Sequence, residues 1–198
     1  LYIADPEGHR ILLYQIDTGI LDVLAGDGNA GSDNGPQLDA TFYAPEAIAK
    51  DDEGNLYILD TGTIAGSGTI RKIDTTGFVQ TIAGLGAPFA PHENAVGDEI
   101  RFNQPTHMVM SNAGDFYVID VFLSNVSGPT THVLRKILGS SLQIQSYAGS
   151  VFPGDGTLDP MIGAQQHGSM HSPSVLTMVS SNPLRLFAAE RAAGVVIE

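Results

Sequence analysis

The chain has no cysteine and no tryptophan, and only nine of its 198 residues are Lys or Arg. Without cysteine there are no disulfides, no thiolate nucleophile and no cysteine-ligated metal, which leaves cytosolic, periplasmic and extracellular settings all open. The nine cations face 22 Asp and Glu, a formal charge of −13. A surface of that sign repels a phosphate backbone, so nucleic acid is not an expected partner. No apolar run approaches the roughly 20 residues that cross a bilayer, and no basic stretch leads into an apolar one as in a secretory leader. No membrane insertion is expected.

What the chain does have is turn chemistry: 23 Gly and 11 Pro within a composition 42% hydrophobic and 16% charged, which suffices for one globular core. The clearest unit is Gly54 to Gly84, where three short apolar runs, Leu56 to Leu59, Thr69 to Ile73 and Phe78 to Ile82, are separated by Gly, Asp and Thr clusters. That spacing predicts consecutive antiparallel strands. The first run recurs. Leu1-Tyr2-Ile3-Ala4-Asp5, Leu56-Tyr57-Ile58-Leu59-Asp60, Phe116-Tyr117-Val118-Ile119-Asp120 and Leu186-Phe187-Ala188-Ala189-Glu190 are four copies of one strand, at spacings that lengthen along the chain. A further strand starts at a proline in three places, Pro45, Pro105 and Pro173. A four-stranded antiparallel unit repeated at such intervals predicts an all-β fold, a β-propeller whose blades fall at 1–26, 45–84, 105–149 and 173–198.

The unit is also specific in its residues. GNLYILD, then IRKID, then TIAG, with Phe42-Tyr43-Ala44-Pro45 and Phe102-Asn103-Gln104-Pro105 ahead of the next strand, resembles the NHL-repeat family of propellers over nearly the whole chain. The third copy departs, with Ser169-Met170-His171-Ser172-Pro173, and the family's usual Gly two residues past the proline is Ala47, His107 and Val175 here. The resemblance implies a ring larger than about three and a half blades. The chain is accordingly expected to be part of a larger propeller, its remaining blades supplied by the same chain or another subunit covering Leu1 to Ile3 and Leu186 to Ala189. Functions in the family run from peptide-amidating lyases through receptor sensor and adhesion domains to RNA-binding regulators, so the resemblance implies a fold rather than an activity.

The loops separate into two sets. Asp52-Glu53-Gly54, Thr75-Thr76-Gly77, Asn112-Ala113-Gly114 and Ser181-Asn182-Pro183 are tight turns, whereas 27–44, 61–68, 85–104, 121–131 and 150–172 are long. Strand order sends every long connection to one face, which is therefore the expected working surface. Its candidate binding residues are Asp27, Asn29, Asp33 and His92, together with His107, Asp155, His167 and His171. The 27–35 stretch is rich in oxygen ligands but lacks the ligand spacing of an EF-hand, and reads first as turn chemistry. The Asp5, Asp60, Asp120 and Glu190 series reads as a structural acceptor repeated in each blade. No cofactor is expected, with calcium at 27–35 or zinc at the histidines as alternatives. Asn125-Val126-Ser127 is a sequon, so Asn125 is a glycosylation candidate in a secreted or cell-surface protein.

The reading is a non-enzymatic module that contacts a protein or a glycan through its loop-bearing face, in a larger extracellular or surface assembly. The alternative is a metal-dependent lyase or hydrolase with a site in the propeller channel, akin to the amidating lyases that the resemblance brings in. Two expectations about burial accompany it: Tyr57 and Tyr117 between blades, Arg71 and Arg135 nearer the rim.

Overall fold

Polar turns every few residues leave segments too short for helices but long enough to pair, and the described residues fold almost wholly as antiparallel sheet. The computed structural model describes residues 1–62, 68–84, 95–123, 130–148, 173–181, 184–190 and 195–197. The first sheet is β1 (Tyr2–Asp5), β2 (Arg10–Gln15) and β3 (Ile20–Ala25). The second begins with a two-residue strand, β4 (Gly35–Pro36), followed by β5 (Pro45–Lys50), β6 (Leu56–Asp60), β7 (Thr69–Ile73) and β8 (Phe78–Ala83). Its spatial order is β4-β8-β7-β6-β5. The third is β9 (Pro105–Met110), β10 (Phe116–Leu123), β11 (Thr130–Ile137) and β12 (Ile144–Ala148), and the fourth β13 (Pro173–Ser181), β14 (Leu184–Glu190) and β15 (Val195–Ile197).

The sheets meet along one edge. β5 stands beside β9 and β9 beside β13, which makes these first strands the axial ones and β3, β8 and β12 the outer ones. Three apolar cores fill the spaces between successive sheets: Ile11, Ala25, Phe42, Ile58 and Val79; then Leu59, Ile70, Phe102, Phe116 and Ile137; then Tyr117, Ile119, Leu134 and Leu176. A sheet covered on both faces needs apolar residues at consecutive positions, which is why β6 and β10 are continuous runs rather than alternating ones. This is a β-propeller arrangement of consecutive blades. Tyr57 meets Phe116 edge to face across the second space, with ring centroids 5.0 Å apart, and Tyr117 is buried in the third. Both tyrosines lie between blades, as the repeat predicts.

Two expectations are corrected. Arg71 and Arg135 are not at the rim: their exposures are 0% and 1%. A charge on a strand implies a solvent-facing position by pattern alone, but here each guanidinium lies over a buried phenylalanine, Phe42 or Phe102, and is held by oxygens from the preceding linker. Nor do the long linkers all stand on one face. Within 27–44, β4 pairs with the start of β8, and Gln37 donates its N–H to the Gly77 carbonyl beside a tight turn. Within 85–104, Val96 bridges to Gln143 and Gly97 N–H donates to Leu142. The described parts of both linkers thus lie along the outer strand of the next blade, where they satisfy backbone groups that an edge strand would leave open.

The Ala-Gly that ends β3 and β8 has a steric cause. Gly26 and Gly84 take φ of 99° and 93°, and a Cβ on either would come within 2.6 Å of the His9 carbonyl or 2.4 Å of the Gly68 carbonyl. Glycine alone permits both the left-handed backbone and that approach.

Candidate functional site at the start of the axial strands

Each axial strand opens in the same irregular way. Pro45, Pro105 and Pro173 pair with Asp60, Asp120 and Glu190, after which the register slips by one residue, leaving Glu46, Thr106 and Ser174 bulged out of their ladders. A bulge re-aims the side chain it carries. The residues after Glu46 are committed to packing, Ala47 and Ala49 against the second core and Ile48 against the first, whereas Glu46 belongs to neither core and is exposed. On β9, His107 Nδ1 is hydrogen-bonded to the Thr106 hydroxyl at 3.0 Å.

These positions sit at the end of the sheets from which the long connections leave. Asp60 opposes both Pro45 and Thr69, so the end of β6, the start of β5 and the start of β7 coincide, and Leu123 opposes Thr130 in the same sense one blade on. Glu46 therefore shares its end of the molecule with Thr106 and His107. Crowding by the surrounding strands pushes the Glu46 carboxyl above its ordinary value, and the charge of His107 works against that rise. Solvent still reaches the carboxylate, and no hydrogen bond or ion pair holds it among the described residues.

The run-in to the bulges at Glu46 and Thr106 is fixed by the recurring aspartate. Asp60 accepts the N–H groups of Tyr43 and Ala44 at 2.7 to 3.0 Å. Asp120 accepts those of Asn103 and Gln104 at 2.9 to 3.1 Å. The structural reading of this series therefore holds at both residues. The arginines complete the clamp: Arg71 donates to the carbonyls of Thr41 and Asp33 at 2.8 Å, and Arg135 to Asp120 at 3.0 Å. Burial pushes the Asp60 and Asp120 carboxyls up, opposed by the N–H groups they accept and by the facing guanidinium. His9 adds a tie from the turn between β1 and β2, where its Nδ1 bonds the Tyr43 carbonyl.

Among the described candidates, Asp27, Asn29 and Asp33 make no hydrogen bond or ion pair with His107. Asp27 and Asn29 close on each other, with the Asn29 N–H and side-chain amide both donating to Asp27 at 2.7 and 2.9 Å; these bonds hold the Asp27 carboxyl below its ordinary value. Asp33 serves through its backbone, its carbonyl gripped by Arg71 while its side chain is exposed. His92, Asp155, His167, His171 and Asn125 lie outside the described residues. Among the described residues no three His, Asp or Glu side chains converge as a metal site would require. Sequence reasoning passed over Glu46 and Thr106. Their signal was the polar residue directly after each repeated proline, in a strand otherwise apolar at its start.

Charge is distributed unevenly. Every cation whose side chain is described has an internal partner: Arg10, Arg71, Arg135 and Lys136 pair with aspartates, Lys50 and Lys72 lie over Tyr2 and Tyr57, and Arg101 donates to carbonyls. The exposed carboxylates of Glu7 and Glu46 make no ion pair among the described residues, although the charge of His107 reaches Glu46.

Blades of this kind, converging on bulged axial strands, place the chain among β-propellers. Of the curated proteins it is similar to NHL repeat-containing protein 2 of Gallus gallus, at 33% identity over 115 residues, which is 57% of this chain and 15% of that protein. The chain thus spans only a small part of that relative's length. No family model matches the sequence. Among solved structures it is similar to a protein of unknown function from Bacteroides thetaiotaomicron VPI-5482, 24% identical with a TM-score of 0.49, covering 59% of this chain and 28% of that one. An auxiliary nutrient binding protein from the same organism is 26% identical with a TM-score of 0.47, covering 59% of this chain and 31% of that one. A protein described in the same words from Bacteroides ovatus ATCC 8483 is 26% identical with a TM-score of 0.44, over the same 59% and 31%.

Proposed function

We propose that the chain is a non-enzymatic binding module that contacts a protein or a glycan through the end of the propeller where the axial strands begin, within a larger extracellular or surface assembly. The observation that carries this reading is the bulge repeated at Glu46, Thr106 and Ser174, which takes a polar residue out of the ladder at one end of three successive blades. Rigid strands presenting such residues form a better platform than free loops, because little ordering entropy is lost on contact. The sequon at Asn125 and the acidic balance support an extracellular or surface setting. In material from a eukaryotic secretory pathway, mass spectrometry should then find an N-linked sugar on Asn125.

The reading is tested by screening the protein on a glycan array and against a panel of purified surface and matrix proteins. A ligand retained by the wild type should be lost by Thr106→Arg at unchanged melting temperature, and kept by Asp52→Arg in a tight turn at the opposite end. Loss with Asp52→Arg alone overturns the placement. Binding in this reading needs no metal; stoichiometric zinc or calcium that is removed together with an enzymatic activity overturns it.

A further inference from the structure

We infer that the partner of this end of the propeller is a protein that presents a basic side chain, lysine or arginine, to Glu46 at the start of the β5 strand. The inference rests on the binding-module reading and narrows it to one class of partner.

Three observations combine. First, Glu46 is lifted out of its ladder by the bulge and excluded from both adjoining cores, so its carboxylate is presented rather than packed. Second, it has no hydrogen bond or ion pair of its own among the described residues, while the comparable carboxylates Asp5, Asp60 and Asp120 each have a cation and backbone donors. Third, Arg10, Arg71, Arg135 and Lys136 are paired with aspartates and Lys50, Lys72 and Arg101 lie against rings or carbonyls, so none of these cations is paired with Glu46 in a chain whose formal charge is −13. A carboxylate that protein partly crowds and that makes no ion pair gains somewhat more from a cation than a fully solvated one does, and the solvent that still reaches Glu46 keeps that gain within the range of an accessible pair. Summed surface charge of one sign steers a basic partner toward the molecule and repels an acidic one. His107, bonded to Thr106, acts on the Glu46 carboxyl through its charge but makes no ion pair with it. A neutral glycan would gain nothing from the charge imbalance, which is what favours a polypeptide.

The test uses the whole chain and a defined probe, pentalysine, titrated by calorimetry at low salt, with pentaserine and a neutral oligosaccharide as comparisons. Pentalysine should bind and pentaserine should not. Glu46→Gln should weaken binding about three- to five-fold, the range of a solvent-accessible ion pair, and Glu46→Lys more. Asp52→Asn, which removes the same charge from a tight turn at the other end, should change it by less than about two-fold. Raising the salt to about 0.2 M should weaken the wild type toward the Glu46→Gln value, since screening then acts within about 10 Å. Equal effects of Glu46→Gln and Asp52→Asn would show a diffuse attraction and overturn the inference while leaving the binding-module reading standing. No pentalysine binding together with oligosaccharide binding that Glu46→Gln abolishes would also overturn it, and make Glu46 a sugar contact instead.

Discussion

Replacing Asp120 by alanine isolates what the buried carboxylate does for the fold. The side chain is fully buried and accepts from the Asn103 and Gln104 N–H groups and from Arg135 Nη1 at 3.0 Å. Truncation removes the aspartate paired with Arg135, itself 1% exposed, and takes the acceptor from two part-buried backbone donors. Breaking one side of a buried pair costs about 3–5 kcal/mol, and the lost N–H bonds overlap with that figure rather than adding to it. In a chain of this size each kcal/mol moves the melting temperature by about 2–4 °C, so a fall of roughly 6–20 °C is expected. The internal comparison is Asp5, which bonds Arg10 at 2.9 Å in the same strand position but with side-chain exposures of 26% and 42%. Asp5→Ala should cost at most about 1 kcal/mol. Urea titration followed by far-UV circular dichroism reads both. Adding Arg135→Met to Asp120→Ala should recover part of the loss, because an apolar pair carries no unpaired charge. If Asp120→Ala costs no more than Asp5→Ala, the clamp is not what holds the linker, and the account of the buried arginines fails.

Other outcomes are expected. Gly84→Ala should destabilise the fold by about 2 kcal/mol or more, since it combines a left-handed backbone with a 2.4 Å approach to the Gly68 carbonyl. Gly114→Ala, at φ 83° with open space around it, should cost only about 1–2 kcal/mol, and equal losses would remove the steric argument. Phe102→Ala, in the second core and beneath Arg135, should cost about 3–5 kcal/mol by the same titration. With pH, Asp5, Asp51 and Asp74 have carboxyls held below their ordinary value. Their folded state therefore binds fewer protons, and the stability they lend is full above the ordinary carboxylate range and lost as pH falls through the lowered values. Asp60 and Asp120 are raised and act in the opposite sense, their contribution declining as pH rises through the raised values. Melting curves from pH 7 to pH 3 should show the Asp74→Asn protein losing less stability on acidification than the wild type. An equal loss would mean that the Asp74 turn is not what titrates.

The strand framework was legible because it repeats: four copies of one apolar run and three prolines mark the blades even where single strands are ambiguous. The turns were legible too, since Asp and Gly carry their geometry locally. What was not legible was any feature set by contact between segments far apart in the chain. Arg71 looked like a surface residue because the oxygens that receive it, at Asp33, Asn34 and Thr41, belong to a linker some 30 to 38 residues earlier. The linkers looked like loops on a face for the same reason, because pairing of Gly35 and Pro36 with β8 leaves no periodic trace in two residues. At the candidate site, His107 stood out by its residue type, but Glu46 and Thr106 emerged only once the register showed where the ladder slips.

The path of the linkers decides what can be cut from this protein and still stand. Residues 33–42 leave the first sheet but are fastened to the second, through β4 on β8, through Arg71, and through Ala40 and Phe42 in the core between them. Residues 95–102 repeat the arrangement one blade later. The heritable and expressible unit is thus not the four strands alone but those strands with the connection that arrives before them. A truncation or a domain graft should begin near Asp27 or soon after Gly84, not at Pro45 or Pro105, where the boundary drawn by eye around a sheet would strip its outer strand of a partner and its arginine of every oxygen that the linker supplies.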